Sequence, residues 1–161
     1  MSHPDRVPDQ RVVPHLREFA AVGDELGRLF ARTKQMHVTD AAAMVAILSA
    51  EDEGAPLTPA RLAERIVLTT GATSILLNRL EEAGHIVRTR GHSDRRVVTL
   101  HSTPAIHAAA EAFFAPLAQR QNDALAGYTA TELALVESAI ARLTSVTKDF
   151  VEHPPTTEPT S

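Results

Sequence analysis

The chain has no cysteine among its 161 residues. It therefore forms no disulfide and no thiolate zinc site, and cysteine-based redox sensing is excluded. No apolar run approaches the ~20 residues that a helix needs to cross a bilayer. The first residues, MSHPDRVPDQRVV, also lack the apolar region of a signal peptide. These absences predict a cytoplasmic protein that does not enter a membrane.

Motifs for catalysis and metal binding are lacking as well. The sequence contains no glycine-rich phosphate loop, no metal triad and no nucleophile motif, so it does not predict an enzyme. Eight histidines are present, but no two of them have the i, i+4 spacing of a helical zinc site. We expect scattered surface histidines, with no metal and no cofactor.

Positive charge is concentrated in one part of the chain. The formal net charge is -4, which at first argues against a polyanionic partner. Residues 57–101, the central segment, nevertheless contain seven arginines against four acidic residues, whereas both flanking parts are acidic. Because the distribution of charge matters more than its sum, the central segment is the candidate surface for nucleic acid.

Aromatic residues are scarce, and all of them lie outside the central segment. The six are Phe19, Phe30, Phe113, Phe114, Tyr128 and Phe150. Proteins usually hold single-stranded nucleic acid by stacking its bases on aromatic side chains. Their absence from the basic segment favours duplex DNA, and it leaves the aromatic residues for a core or an effector pocket.

Two helices are predicted before the central segment. Apolar residues recur at spacings of three and four from about Arg11 to Gln35, which indicates one long amphipathic helix. Thr39 is a plausible N-cap for a second helix from Asp40 to about Asp52. Residues 1–10 hold two prolines and several charges, and we expect a mobile arm there.

The central segment predicts two short helices followed by a hairpin. Thr58 is a predicted N-cap with Pro59 at the first helical position. The fourth helix runs from about Thr70 to Ala83, and Gly84 is a natural residue to end it. Its predicted apolar stripe is Leu76, Leu77, Leu80 and Ala83, with Thr73 one turn earlier, and the opposite face presents Gly71, Ala72, Ser74, Ile75 and Asn78. The hairpin consists of two strand-like runs, His85–Arg90 and Arg96–His101, around a polar turn with a glycine.

Two further helices complete the chain. Thr103-Pro104 opens the fifth, and Pro116 within it predicts a kink rather than a break, because the apolar periodicity resumes. Thr129 and Glu132 form a capping box for the sixth. Its apolar seam is Leu133, Val136, Ile140 and Leu143. The polar, Pro/Thr-rich end is predicted to be disordered.

The predicted fold is mainly α, in the order α-α-α-α-β-β-α-α. We interpret residues 39–101 as a winged helix-turn-helix, a shape that sets one helix into the DNA major groove. Residues 11–38 and 102–150 are then long N- and C-terminal dimerisation helices, and 1–10 and 151–161 are flexible tails.

The central segment resembles the MarR family of bacterial transcription regulators. The matching pieces are LTPARLAERI, TGATSILLNRLEEAGHIVR and SDRRVVTLHSTP, and the flanking helices extend the likeness over about residues 11–150. The hallmark of the family is an aspartate and an arginine separated by one residue in the wing, and here these match Asp94 and Arg96. The resemblance implies that Asp94 braces the wing while Arg96 reaches the minor groove, a role that Arg95 can share.

The resemblance also implies a function and a set of contacts. We expect a homodimeric repressor that binds a near-palindromic operator in double-stranded DNA. The residues expected to contact DNA are Thr70, Gly71, Ala72, Ser74, Ile75, Asn78, Arg79, Arg95 and Arg96. A polar or basic residue is common in the family where Ile75 stands. Ile75 either touches a thymine methyl group or rotates inward.

A small aromatic or phenolic effector is a further implication of the resemblance. It would bind between the dimerisation helices and the DNA-binding module, where the candidate residues are His15, Arg17, His37 and His107. The rival interpretation is a winged-helix protein-interaction module that does not bind DNA.

Overall fold

The computed structural model describes residues 11–90 and 97–154. Their elements follow the predicted order α-α-α-α-β-β-α-α. They are α1 (Val12–Thr33), α2 (Val38–Asp52), α3 (Pro59–Ile66), α4 (Thr70–Glu82), β1 (Ile86–Arg90), β2 (Val98–Ser102), α5 (Pro104–Leu125) and α6 (Ala130–Glu152).

Side-chain caps begin three of the helices. The hydroxyl groups of Thr58, Thr69 and Thr129 accept hydrogen bonds from backbone N–H groups in the first turns of α3, α4 and α6. Each cap stabilises its helix because it satisfies a donor that has no partner within the helix. The caps predicted at Thr58 and Thr129 are confirmed.

The cap predicted at Thr39 is wrong. Helix α2 begins at Val38, and the N-cap is His37, whose backbone is extended with ψ 149°. The carbonyl of His37 accepts the N–H of Ala41 at 3.0 Å. The helix therefore starts before Thr39, which lies inside its first turn.

Side chains from all six elements from α1 to β2 form one core. The largest fully buried side chains are Phe30, Met44, Ile47, Leu62, Leu77, Leu80, Ile86 and Leu100. Phe30 of α1 also meets Phe113 of α5, with ring centroids 5.1 Å apart. This core holds α4 and the hairpin in place, since both contribute buried residues to it.

Strands β1 and β2 form an antiparallel hairpin in which Ile86 pairs with Ser102 and Arg90 with Val98. The N–H of Leu100 donates to the carbonyl of Leu57 at 2.8 Å. Gly84 lies between α4 and β1 with φ +70°. A left-handed backbone there favours glycine, which confirms the predicted helix end.

The chain divides into two compact units, residues 1–113 and 114–161. Helix α5 is continuous through Pro116, so the expectation that this proline does not break the helix is confirmed. Helix α6 extends to Glu152, so it includes the first two residues of the predicted C-terminal tail. No residue of α6 is buried in the described chain.

Candidate nucleic-acid interface

Helix α4 has one buried and one exposed face. Its buried residues are Thr73, Leu76, Leu77 and Leu80. The exposed residues Gly71, Ser74, Ile75 and Asn78 follow at spacings of three and four, so they share the opposite face. The division agrees with the one predicted from the sequence except at Ala83, which is exposed. It leaves a continuous strip of α4 outside the core.

The N-terminal end of α4 is small and capped. The Thr69 hydroxyl accepts the N–H of Ala72 at 3.3 Å. A Cβ atom added at Gly71 would meet nothing within 4 Å, so the backbone is open on that side. Free N–H groups and the positive end of a helix dipole favour a phosphate at such a terminus.

The turn that leads into α4 contains an unusual backbone conformation. Val67 ends α3 in the left-handed region, with φ 55° and ψ 53°. Its side chain is 86% exposed. The sequence does not predict this conformation at Val67, because a β-branched residue rarely adopts the left-handed region.

The hydroxyl of Ser74 is engaged within the helix. Ser74 Oγ donates to the carbonyl of Thr70 at 2.9 Å, in the back-bonding pattern that Ser and Thr adopt within helices. The Ser74 oxygen can still accept a hydrogen bond, but its proton is used. Thr70 itself is exposed at the start of the helix.

Asn78 is held by an arginine from the hairpin. Arg88 Nη2 donates to Asn78 Oδ1 at 2.8 Å, and Arg88 Nη1 lies 3.2 Å from Glu81 Oε2. Because a guanidinium has no acceptor, the Asn78 atom that faces it is the oxygen. The side-chain NH₂ of Asn78 is thereby turned away from Arg88.

Arg79 has a partner within the chain. Its Nε donates to Asp40 Oδ2 at 2.8 Å, and its Nη2 makes a short hydrogen bond to Asp40 Oδ1. The hydrogen bond to Asp40 raises the pKa of Arg79 above its ordinary value. Asp40 is 4% exposed, so this pair joins α4 to the first turn of α2. The DNA contact predicted for Arg79 stays a prediction.

A second polar cluster joins the hairpin to α2. Glu51 accepts the N–H of Ser102 at 3.1 Å and its hydroxyl at 2.6 Å. His101 Nδ1 lies 3.2 Å from the same carboxylate. The sequence predicts Glu51 only as part of a helix end, since nothing local indicates a partner 51 residues away.

The wing residues lie outside the described residues: Asp94, predicted to brace the wing, and Arg95 and Arg96, predicted to contact DNA. The strand before them ends at Arg90, whose side chain is exposed. Their predicted roles therefore stay predictions.

The four effector candidates are exposed, and the hydrogen bonds and ion pairs of the described residues do not join any two of them. His15 lies 3.7 Å from Glu18, and His107 Nδ1 lies 3.2 Å from Ser102 Oγ. His37 is the N-cap of α2, and Arg17 lies on α1. Their role in binding an effector is untested.

Metal ligands and membrane spans are the other two features that bear on function. Over residues 11–90 and 97–154, no group of three or more His, Asp or Glu side chains is arranged to hold a metal ion. In the same part of the chain no helix has the length and apolar character required to span a membrane.

The sequence matches a known family of regulators. Residues 35–97 match a profile described as the MarR family. Over 102 residues the chain is 29% identical to the uncharacterized HTH-type transcriptional regulator YcgE of Bacillus subtilis (strain 168), which covers 63% of this chain and 66% of that protein. The match thus spans just under two thirds of the relative.

Solved structures agree in fold. FabT of Streptococcus pneumoniae in complex with DNA is 26% identical, with a TM-score of 0.56 over 88% of this chain and 98% of that one. A mutant MepR from a multidrug resistant S. aureus clinical isolate is 14% identical, with a TM-score of 0.66 over 85% and 98%. MepR has also been solved bound to ethidium bromide. The family and these relatives are transcription regulators, not enzymes.

Proposed function

We propose that the chain is a member of the MarR family of transcription regulators and that it is a cytoplasmic, ligand-responsive repressor that binds duplex DNA as a homodimer. Each protomer sets α4 into a major groove, about one helical turn (~34 Å) from the other's. The operator is therefore a near-palindrome.

The exposed face of α4 is the observation that carries the proposal. Its open N-terminal end suits a phosphate, and the strip of Gly71, Ser74, Ile75 and Asn78 is available for base edges. The opposite face is packed in the core. FabT, which is similar over most of this chain, was solved in complex with DNA.

The distribution of charge supports a DNA partner, although the chain as a whole is acidic. Described arginines of the central segment lie on α3 and β1, the elements before and after α4 in the chain, and a dimer presents two such segments to one face of the duplex. Arg96 is proposed, from the family resemblance, to enter the minor groove, and Asp94 to orient it. Since each phosphate contact releases counterions, we expect binding to weaken steeply as salt rises.

Dimerisation is supported by apolar side chains that the single chain leaves exposed. On α6 these are Leu135, Val136, Ile140, Val146, Phe150 and Val151. On α1, Phe19 is 70% and Val22 58% exposed. Exposed apolar surface of this extent indicates an interaction site, and a second copy of the chain is the occupant that the family suggests.

The proposal includes a small-molecule effector that changes DNA binding. MepR was solved with ethidium bromide bound, and we propose a small aromatic or phenolic ligand here. Such a ligand acts only if it binds one half-site spacing better than the other. His15, Arg17, His37 and His107 are the candidates, and alanine variants of each would identify those that change the response of DNA binding to the ligand.

The test is footprinting on the intergenic DNA upstream of the gene, followed by fluorescence anisotropy on the protected duplex. Ser74→Ala and Arg96→Ala should each weaken binding, by about tenfold for a contact worth ~1.4 kcal/mol. Val45→Ala, an exposed apolar change on α2, is the control. If both variants bind like the wild type, the chain is better described as a protein-interaction module.

A further inference from the structure

Ile75 is the most exposed large apolar residue of the recognition helix. It is 67% exposed, which excludes the inward rotation that the sequence left open. Its neighbours on the same face are Gly71, Ser74 and Asn78. Ile75 thus stands in the middle of the strip that the proposed function sets against the bases.

The polar groups beside Ile75 are partly committed within the chain. The Ser74 proton goes to Thr70, and Asn78 Oδ1 accepts from Arg88. Arg79 is paired with Asp40. An Asn reads adenine by using its oxygen and its NH₂ together, and an oxygen already bonded to Arg88 makes that pairing less favourable.

The major-groove edges of the four bases carry one methyl group, the C5-methyl of thymine. The other groups that distinguish the base pairs there are hydrogen-bond donors and acceptors. An isoleucine placed against such a polar group removes its water and returns no hydrogen bond, which is unfavourable. Against a thymine methyl, the same side chain buries apolar surface on both partners.

We propose that Ile75 reads a thymine in each half-site through its C5-methyl group. This inference rests on the proposed function and adds the class of base that the site selects. It also explains how a recognition helix whose polar side chains are engaged in the fold discriminates among sequences.

The experiment removes only the methyl group. In the duplex found by footprinting, each thymine is replaced by uracil, one symmetric pair of positions at a time, and affinity is measured by fluorescence anisotropy. Uracil has the same hydrogen-bonding edge as thymine, so a loss of affinity reports the methyl contact. Burial of one methyl group corresponds to about fourfold in affinity per half-site, or roughly fifteenfold for a pair of half-sites.

The wild type should show this loss at one pair of positions. Ile75→Ala should bind the thymine duplex about as weakly as the wild type binds the uracil duplex, and it should no longer distinguish the two. Val45→Ala should keep the full thymine preference. Circular dichroism checks that the variants are folded, and Ile75→Val provides a conservative second variant with an intermediate ratio.

Two results overturn the inference while leaving the proposed function intact. One is a wild type that binds the duplex specifically but equally well with uracil at every position. The other is an Ile75→Ala variant that retains the wild-type ratio. Absence of any specific binding to the upstream DNA would instead overturn the proposed function.

Discussion

Val67 adopts a backbone conformation that its side chain disfavours. A left-handed residue with a Cβ costs roughly 1–2 kcal/mol, and branching at Cβ makes this position unusual. The side chain is 86% exposed, so little packing offsets the cost. The chain keeps the conformation because the turn connects two helices whose buried faces pack into one core.

We predict that Val67→Asn stabilises the protein. Asn tolerates the left-handed region, so the free energy of unfolding should rise by about 1 kcal/mol. Urea denaturation measures the change. Val38→Asn, at another exposed valine but in a helix, is the control and should stay within about 0.5 kcal/mol, since Val and Asn have similar helix propensities. If Val67→Asn instead lowers the free energy of unfolding, the valine side chain makes stabilising contacts despite its exposure.

The ion pair between Arg79 and Asp40 is a second contact between individual residues that affects the stability of the fold. We predict that Arg79→Met destabilises the fold by about 2 kcal/mol, because it leaves a buried carboxylate without its partner. The estimate lies below the range for fully buried pairs since the arginine side chain is 43% exposed.

Adding Asp40→Asn to Arg79→Met should recover part of that loss, because the uncompensated charge is then removed. Thermal and urea unfolding of the two single variants and the double variant measure the coupling. If the changes in unfolding free energy of the two single variants add up to that of the double variant, the two side chains do not stabilise each other.

The start of helix α6 is set by residues of its own first turn. Thr129 Oγ1 accepts the N–H of Glu132 at 3.3 Å, and Glu132 accepts the N–H of Thr129 at 2.8 Å. This reciprocal pair lies within one turn, so it needs no tertiary contact. The hydrogen bonds from the backbone and the hydroxyl of Thr129 lower the pKa of Glu132 below its ordinary value of 4.5.

The lowered pKa predicts an acid-sensitive helix start. A carboxyl group whose pKa falls on folding stabilises the folded state above the unfolded pKa, and that contribution is lost as pH falls through the folded pKa. Glu132→Gln keeps the capping geometry but does not titrate. The unfolding free energy of the wild type, measured from pH 7 down to about 3, should therefore fall more than that of Glu132→Gln. If the unfolding free energies of the two proteins fall in parallel with pH, ionised Glu132 does not stabilise the start of α6.

At the scale of the whole molecule, α6 is a helix of 23 residues that buries none of them in the single chain. Amphipathic helices gain most of their stability by packing an apolar face. A helix of this length with Leu135, Ile140 and Phe150 exposed is therefore expected to pack against another chain.

We predict that Ile140→Glu dissociates the proposed dimer. A buried charge without a partner opposes association, so sedimentation equilibrium at micromolar concentration should show a monomer. Affinity for a palindromic operator should fall by about 10²-fold or more because two linked half-site contacts become independent. Ser145→Glu adds the same charge at an exposed position on a side of α6 that carries none of these apolar residues, and this variant should remain a dimer. A dimeric Ile140→Glu would place the interface elsewhere.

Local patterns account for most of the correct predictions. The order of elements, the caps at Thr58 and Thr129, the glycine end at Gly84 and the exposed strip of α4 all follow from spacing within one element. The cap at Thr39 was wrong because His37 adopts extended backbone and starts α2 earlier. No capping side chain at position 37 indicated this.

The sequence by itself determined which segments are helix and strand, which face of α4 is apolar, and where the basic charge lies, because these depend on residues three or four apart. Only the tertiary structure decided which partner each charged side chain takes. Arg79 meets Asp40 across 39 residues and Glu51 meets Ser102 across 51. Many acidic and polar groups are chemically equivalent in the sequence, and only the packed core selects the pair that lies within hydrogen-bond distance.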